Sequence, residues 1–188
     1  GDGHLDLAIG VPGESQYGPD ASGAVQILYG TPTGLSVDGD QVFFESLVSP
    51  EISTFDRFGD TLASGDFSAD GRDDLAIGFP LDNVFGAMNS GNVAVLYGTP
   101  DGLQTPGAQL WNGFFLLTVE DGDQLGDALA VGDFSGRGGL DLAIGVPARE
   151  SDDGAFDDVG GTLVVRSQNL FSDDFESGTT DRWSGRVP

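Results

Sequence analysis

The feature that most constrains this chain is that it repeats itself. "DLAIGVP" begins at Asp6, "DLAIGFP" at Asp74 and "DLAIGVP" again at Asp141, offsets of 68 and 67 residues. "LYGTPTGL" from Leu28 returns as "LYGTPDGL" from Leu96, and "FGDTLASGDFS" from Phe58 returns as "LGDALAVGDFS" from Leu125. Separate segments that recur in phase mean that one structural unit is used more than once. Such units bury their apolar faces on one another.

Within a unit the signals are those of strands and turns. In "DLAIGFP", Leu75, Ile77 and Phe79 face one way while Ala76, Gly78 and Pro80 face the other, a period of two with bulky and small sides. "GNVAVLYG" is apolar on both faces, as a strand held between two layers should be. Clusters of Gly, Pro, Asp and Asn separate these runs, and no long stretch carries a helical stripe. Each unit predicts four short strands: "DTLASGDF", "DDLAIGF", "GNVAVLYG" and a less regular fourth such as "AQLWNGFFLLTV". The fold class expected is all-β, a partial β-propeller of four-stranded antiparallel blades. A β-solenoid is the rival, but its rungs are usually much shorter than this period.

Composition narrows the partners. Thirty-one Asp and Glu against seven Arg and no Lys give a formal charge of −24. Such a chain repels nucleic acid and anionic lipid, so neither is an expected partner. The carboxylates suit cation binding, adaptation to a salty, calcium-rich exterior, or both. There is no cysteine, hence no disulfide and no thiolate metal site. No apolar run approaches the roughly 20 residues that span a bilayer, so no membrane insertion is expected. The chain opens at Gly1 without Met, inside a motif, and reads as a fragment.

The Phe58-Gly59 pair, the Asp-rich loop that follows it, and "GVP", "GFP" and "GVP" at 10–12, 78–80 and 145–147 resemble FG-GAP repeats from residue 1 to about 168. Leu125 stands where the third unit should have Phe, and Val or Phe replaces the Ala of "GAP". The family builds the seven-bladed propeller at the head of integrin α subunits and related secreted proteins. The resemblance implies an N-terminally truncated repeat over 1–57 and a full repeat over 58–124. A degenerate, incomplete repeat follows over 125–170, and 171–188 is a non-repeat tail or linker.

The loop "DFSADGRDD" carries the chemistry. Counting Asp66 as position 1 puts Ser68 at 3, Asp70 at 5, Gly71 at 6, Arg72 at 7 and Asp74 at 9. Alternate oxygens can converge on a hard cation such as Ca²⁺, with Arg72 offering only its backbone carbonyl. An EF-hand would place a bidentate Glu at position 12, where this chain has Ile77 inside a strand. A strand–loop–strand calcium site is what the FG-GAP resemblance implies, with Asp66, Ser68, Asp70, the Arg72 carbonyl and Asp74 as ligands. The same residues also suit an Asp-rich turn whose carboxylates merely accept backbone N–H bonds. The first unit keeps only Asp2, His4 and Asp6 of this loop, a truncated site. The third keeps Asp133, Ser135 and Asp141 but has Arg137 at position 5. A guanidinium roughly 5 Å from Ca²⁺ costs on the order of several kcal/mol at an effective dielectric of about 20, so this loop is expected to be weak or empty.

There is no Cys nucleophile, no G-x-S-x-G elbow, no H-E-x-x-H and no P-loop, and the sole histidine, His4, falls at a backbone-ligand position. The chain is therefore expected not to be an enzyme. The loops 80–91 and 150–161 vary between units as binding loops do, which offers Arg149, Asp152, Asp153, Asp157 and Asp158 to a partner, although a solvated acidic loop is the simpler reading. Trp111, Phe114 and Phe115 read as core of the fourth strand. By resemblance the chain is an extracellular, calcium-binding module for adhesion or protein binding. Its expected partners are an extracellular protein or surface ligand and the neighbouring blades. The alternatives are an accessory propeller of a larger secreted, phospholipase D-like hydrolase, or a purely structural repeat.

Overall fold

The computed structural model describes residues 2–15, 20–50, 52–113, 119–149 and 160–166. Phe114, Phe115, Asp152, Asp153, Asp157, Asp158 and the tail 171–188 lie outside them. Described strands are β1 (Leu7–Val11), β2 (Ala24–Thr31), β3 (Gly34–Phe44), β4 (Thr61–Gly65), β5 (Asp74–Phe79), β6 (Asn92–Thr99), β7 (Gly102–Asn112), β8 (Leu129–Gly132), β9 (Asp141–Val146) and β10 (Gly161–Val165). They form three antiparallel sheets in the orders β1-β2-β3, β4-β5-β6-β7 and β10-β9-β8. Neighbours in sequence are neighbours in each sheet, and β4 lies against both β1 and β8. This is part of a β-propeller.

The turn chemistry recurs with the sequence. Thr99 Oγ1 donates to the Gly102 carbonyl at 2.8 Å and accepts from the Asp101 N–H, closing the β6–β7 hairpin over Pro100 and Asp101. Thr31 does the same for Gly34 and Thr33 between β2 and β3. This tight closure corrects the expected fourth strand. It starts at Gly102, directly after the turn, and among the described residues ends at Asn112, rather than running over "AQLWNGFFLLTV". Its first half, "GLQTPG", is too polar to stand out as a strand. Pro106 is tolerated because β7 lies at the edge of its sheet.

The period-two pattern of β5 becomes two cores. Leu75, Ile77 and Phe79 pack with Val25, Ile27, Phe43 and Phe58, joining the first sheet to the second. Ala76 on the other face belongs with Val93, Val95, Leu125, Leu142 and Ile144, joining the second sheet to the third. Trp111 is buried in that second core. Each fully buried aliphatic or aromatic side chain contributes roughly 1.5–3 kcal/mol, so the sheets are held mainly by what lies between them.

The repeated Phe-Gly and Gly-x-Pro segments meet across those interfaces. Phe58 donates its N–H to the Ser22 carbonyl at 2.8 Å, and Gly59 donates to the Gly78 carbonyl at 3.1 Å. Leu125 and Gly126 repeat this on Ser90 and Gly145, each at 3.0 Å. The Phe58 ring meets Phe79 edge-on, with centroids 5.3 Å apart. Gly78 has no room for a side chain, because a Cβ there would collide with the Gly126 carbonyl oxygen. The small side of "DLAIGFP" is therefore set by contact between backbones.

Candidate functional site

The Asp66 loop joins β4 to β5, and its side chains organise its own backbone. Asp66 accepts the N–H of Asp70 at 3.0 Å on one oxygen and that of Gly71 at 2.9 Å on the other. Asp74, at the start of β5, accepts the Ser68 N–H at 2.9 Å and, across to β6, the Gly98 N–H at 2.9 Å. Ser68 Oγ donates to Asp66 at 3.4 Å. Gly71 holds φ +87°, the left-handed turn that brings the chain back towards Asp66. Asp66, Ser68 and Asp74 are thus joined by hydrogen bonds on one side of the loop. Asp70 instead caps the Arg72 N–H at 2.9 Å and pairs with the Arg72 guanidinium at 3.2 Å.

This donor set consists of carboxylate, hydroxyl and carbonyl oxygens, the kind a hard divalent cation takes. The three carboxylates are not gathered to one point. To join Asp66 and Asp74, Asp70 has to leave Arg72, and an exposed pair of this type is worth about 0–1 kcal/mol. Asp74 is almost wholly buried. Burial pushes its carboxyl above the usual carboxylate range, the Gly98 and Ser68 N–H donors pull it back, and the Asp70 and Asp66 charges add to the rise.

The other two loops share the scaffold. In the third, Asp133 accepts the N–H of Arg137 and of Gly138, each at 2.9 Å, and Asp141 accepts that of Ser135 at 2.7 Å. The N–H bonds from Gly138 and then Arg137 hold the exposed Asp133 carboxyl below its ordinary range. In the first, Asp2 caps the His4 N–H at 3.0 Å and Asp6 accepts the Gly30 N–H at 2.8 Å. The loop backbone therefore forms whether position 5 is Asp70 or Arg137.

A second cluster was missed by reading the sequence. Glu45 in the 3₁₀ turn after β3, Asp56 just before Phe58, and Asp82 just after β5 are all buried. One carboxylate oxygen from each lies within 4.8 Å of the others. Burial first, then the Asp56 and Asp82 charges, pushes the Glu45 carboxyl up to about 10. Asp56 takes the Ser53 N–H at 2.6 Å and the Ser53 hydroxyl, and Asp82 takes an Asn92 side-chain N–H at 3.2 Å. These residues are 11 and 26 positions apart in sequence, so no short motif betrays them.

Loop 80–91, expected as a variable binding loop, folds as a small turn bridged between Val84 and Ala87. It docks on the next inter-sheet segment: Gly122 and Gln124 donate to the carbonyls of Met88 and Asn89 at 2.8 and 3.1 Å. Among the described residues no helix is long and apolar enough to cross a membrane.

Comparison with known proteins adds two findings. Residues 1–28 and 58–96 match the FG-GAP repeat family. The chain is also similar to phosphatidylinositol-glycan-specific phospholipase D of Rattus norvegicus, 35% identical over 150 residues. The proteins of that name from Mus musculus and Homo sapiens are 34% and 33% identical over 149 and 150 residues. Each match takes in 78% of this chain and 17% of the relative. The expectation that the chain is not an enzyme is corrected here, because these relatives are named as one. Packing and turn formation set the residues of a repeat, so the absence of catalytic motifs from it says nothing about an enzyme of which such repeats form a part.

Proposed function

Since the chain is built of FG-GAP repeats stacked as part of a β-propeller, we propose that it is the propeller segment of a larger secreted hydrolase of the phosphatidylinositol-glycan-specific phospholipase D type. The observation that carries this reading is the match to that enzyme at 33–35% identity across 78% of the chain. A likeness of that extent takes in several strands and both repeated interfaces rather than one motif. The whole enzyme would act on a phosphatidylinositol-glycan, and the sheets described here would brace and position the rest of it.

Calcium belongs to the same reading. Asp66, Ser68, Asp70, the Arg72 carbonyl and Asp74 would hold Ca²⁺ where β4 turns into β5. The ion would supply positive charge to a buried Asp74 and to two neighbouring carboxylates. Its work is structural, since it ties a strand pair and screens the loop. An ion that binds only the folded state adds about 2.7 kcal/mol at one hundred times its Kd. The first loop would bind poorly with Asp2, His4 and Asp6 alone, and the third poorly with Asp133, Ser135 and Asp141 around Arg137.

The test is an assay of the intact protein that carries this chain, with a phosphatidylinositol-glycan-anchored reporter in vesicles. Release of the reporter with the lipid's phosphatidic acid left behind is the expected result. No release under calcium-replete conditions would contradict the assignment.

A further inference from the structure

We propose that Glu45, Asp56 and Asp82 form a second cation site, separate from the Asp66 loop, which takes Ca²⁺ and clamps the first sheet to the second. The geometry suits that ion. Oxygens bound to Ca²⁺ at about 2.4 Å can be no more than about 4.8 Å apart. One oxygen from each of these three carboxylates meets that limit.

Burial leaves the cluster two ways to lose its charge, a bound cation or shared protons. Glu45 is 1% exposed, Asp56 0% and Asp82 3%. Both carboxylate oxygens of Glu45 are buried and neither receives a protein N–H or hydroxyl, while the Asp56 carboxyl lies close enough to share a proton with it. Three carboxylates brought together out of water repel one another and lose their hydration, and a buried charge persists only when it is paired or coordinates a metal. The nearest arginine in sequence, Arg57, is turned to Asp60 at 2.7 Å.

The repeat supplies an internal control. The main-chain bond from Gly91 N to Asp82 O, 3.0 Å, recurs from Gly160 N to Arg149 O at 3.0 Å, so Asp82 and Arg149 occupy equivalent places. Asp56 and Asp123 are likewise equivalent, each accepting the N–H of the residue three before it, Ser53 at 2.6 Å and Glu120 at 3.0 Å. Glu45 lies 68 residues before Gly113, the offset that relates β3 to β7. Between the second and third sheets the chain thus has Gly113, Asp123 and Arg149, one carboxylate and a built-in cation. Between the first and second it has three carboxylates. One interface carries its positive charge on a side chain, and the other takes it from solution. The ion would join the end of β3, the segment entering Phe58-Gly59 and the turn after β5, which are the segments that bring these two sheets together.

Calcium bound per chain, counted by native mass spectrometry on the whole 188-residue chain, tests this. With the other loop disabled by Asp66→Asn and Asp70→Asn, one Ca²⁺ should remain, and Glu45→Gln should remove it. Asp82→Arg puts a built-in cation at the place that Arg149 holds in the other interface. It should also remove that ion and leave a melting temperature that EDTA no longer lowers, which keeps the test decisive if Glu45→Gln does not fold. Calcium unchanged by either substitution would overturn the proposal. So would a loop-disabled chain that binds none with Glu45 intact, the triad then being held by a shared proton.

Discussion

At the scale of single residues, the repeat is a set of solutions to close packing, and the two interfaces show which are interchangeable. Phe58 and Leu125 hold the same place and are both fully buried. The ring is therefore one way of filling that site, while burial there is the requirement. Phe58→Ala should cost about 3–5 kcal/mol in urea unfolding, as deletion of a buried aromatic does. Phe58→Leu should cost roughly 1.5 kcal/mol or less, because its counterpart shows that leucine fits. Equal losses for the two variants would mean that the ring itself, through its edge contact with Phe79, is what the interface needs. Gly78 is different in kind, since the Gly126 carbonyl occupies the space a Cβ would need. The sequence displayed that position as the small side of an alternating strand. The reason, contact between backbones of adjacent sheets, requires the structure.

At the scale of elements, β5 and β6 could be read directly, because strict alternation in one and a continuous apolar run in the other are strong signals. β7 was placed only in part, because "GLQTPG" hides a strand behind polar residues and a proline. The Asp66 loop was visible as a spacing, but its hydrogen bonds were not. Asp66 and Asp133 organise identical N–H scaffolds although one loop has Asp70 and the other Arg137 at position 5. Cation affinity should then turn on that one residue. Arg137→Asp should restore the third carboxylate and add one bound Ca²⁺ per chain, with an affinity gain of at least about tenfold, or 1.4 kcal/mol, at that loop. Titration calorimetry reads this directly, and an unchanged number of bound ions would show that the shared scaffold is only a turn. The Glu45 cluster was illegible for another reason. Its members come from three segments that meet only when two sheets stack, and the repeat gave no clue because its copy has Gly113 and Arg149 instead.

At the scale of the whole molecule, sheet stacking and charge oppose each other. A net charge of −24 repels itself, while the cohesion lies in the layers between sheets. On the face of the first sheet that no other described sheet covers, the equivalent residues are exposed: Leu7 is 41% and Val11 39% exposed, against 3% for Leu75 and 0% for Phe79 on the second. Stacking, rather than any one sheet, keeps these side chains dry, as the repeat period alone implied. Cations bound at the two proposed sites would act on the same balance by neutralising carboxylates at a hairpin and at an interface. The most direct test is the melting temperature of the chain with EDTA and then with Ca²⁺ at about one hundred times its Kd. The gain of about 2.7 kcal/mol for each site predicts a rise of roughly 5–11 °C per site for a domain of this size, the loop's share being lost in Asp66→Asn/Asp74→Asn and the Glu45 cluster's share remaining. A melting temperature indifferent to calcium would contradict the cation-braced propeller at its root.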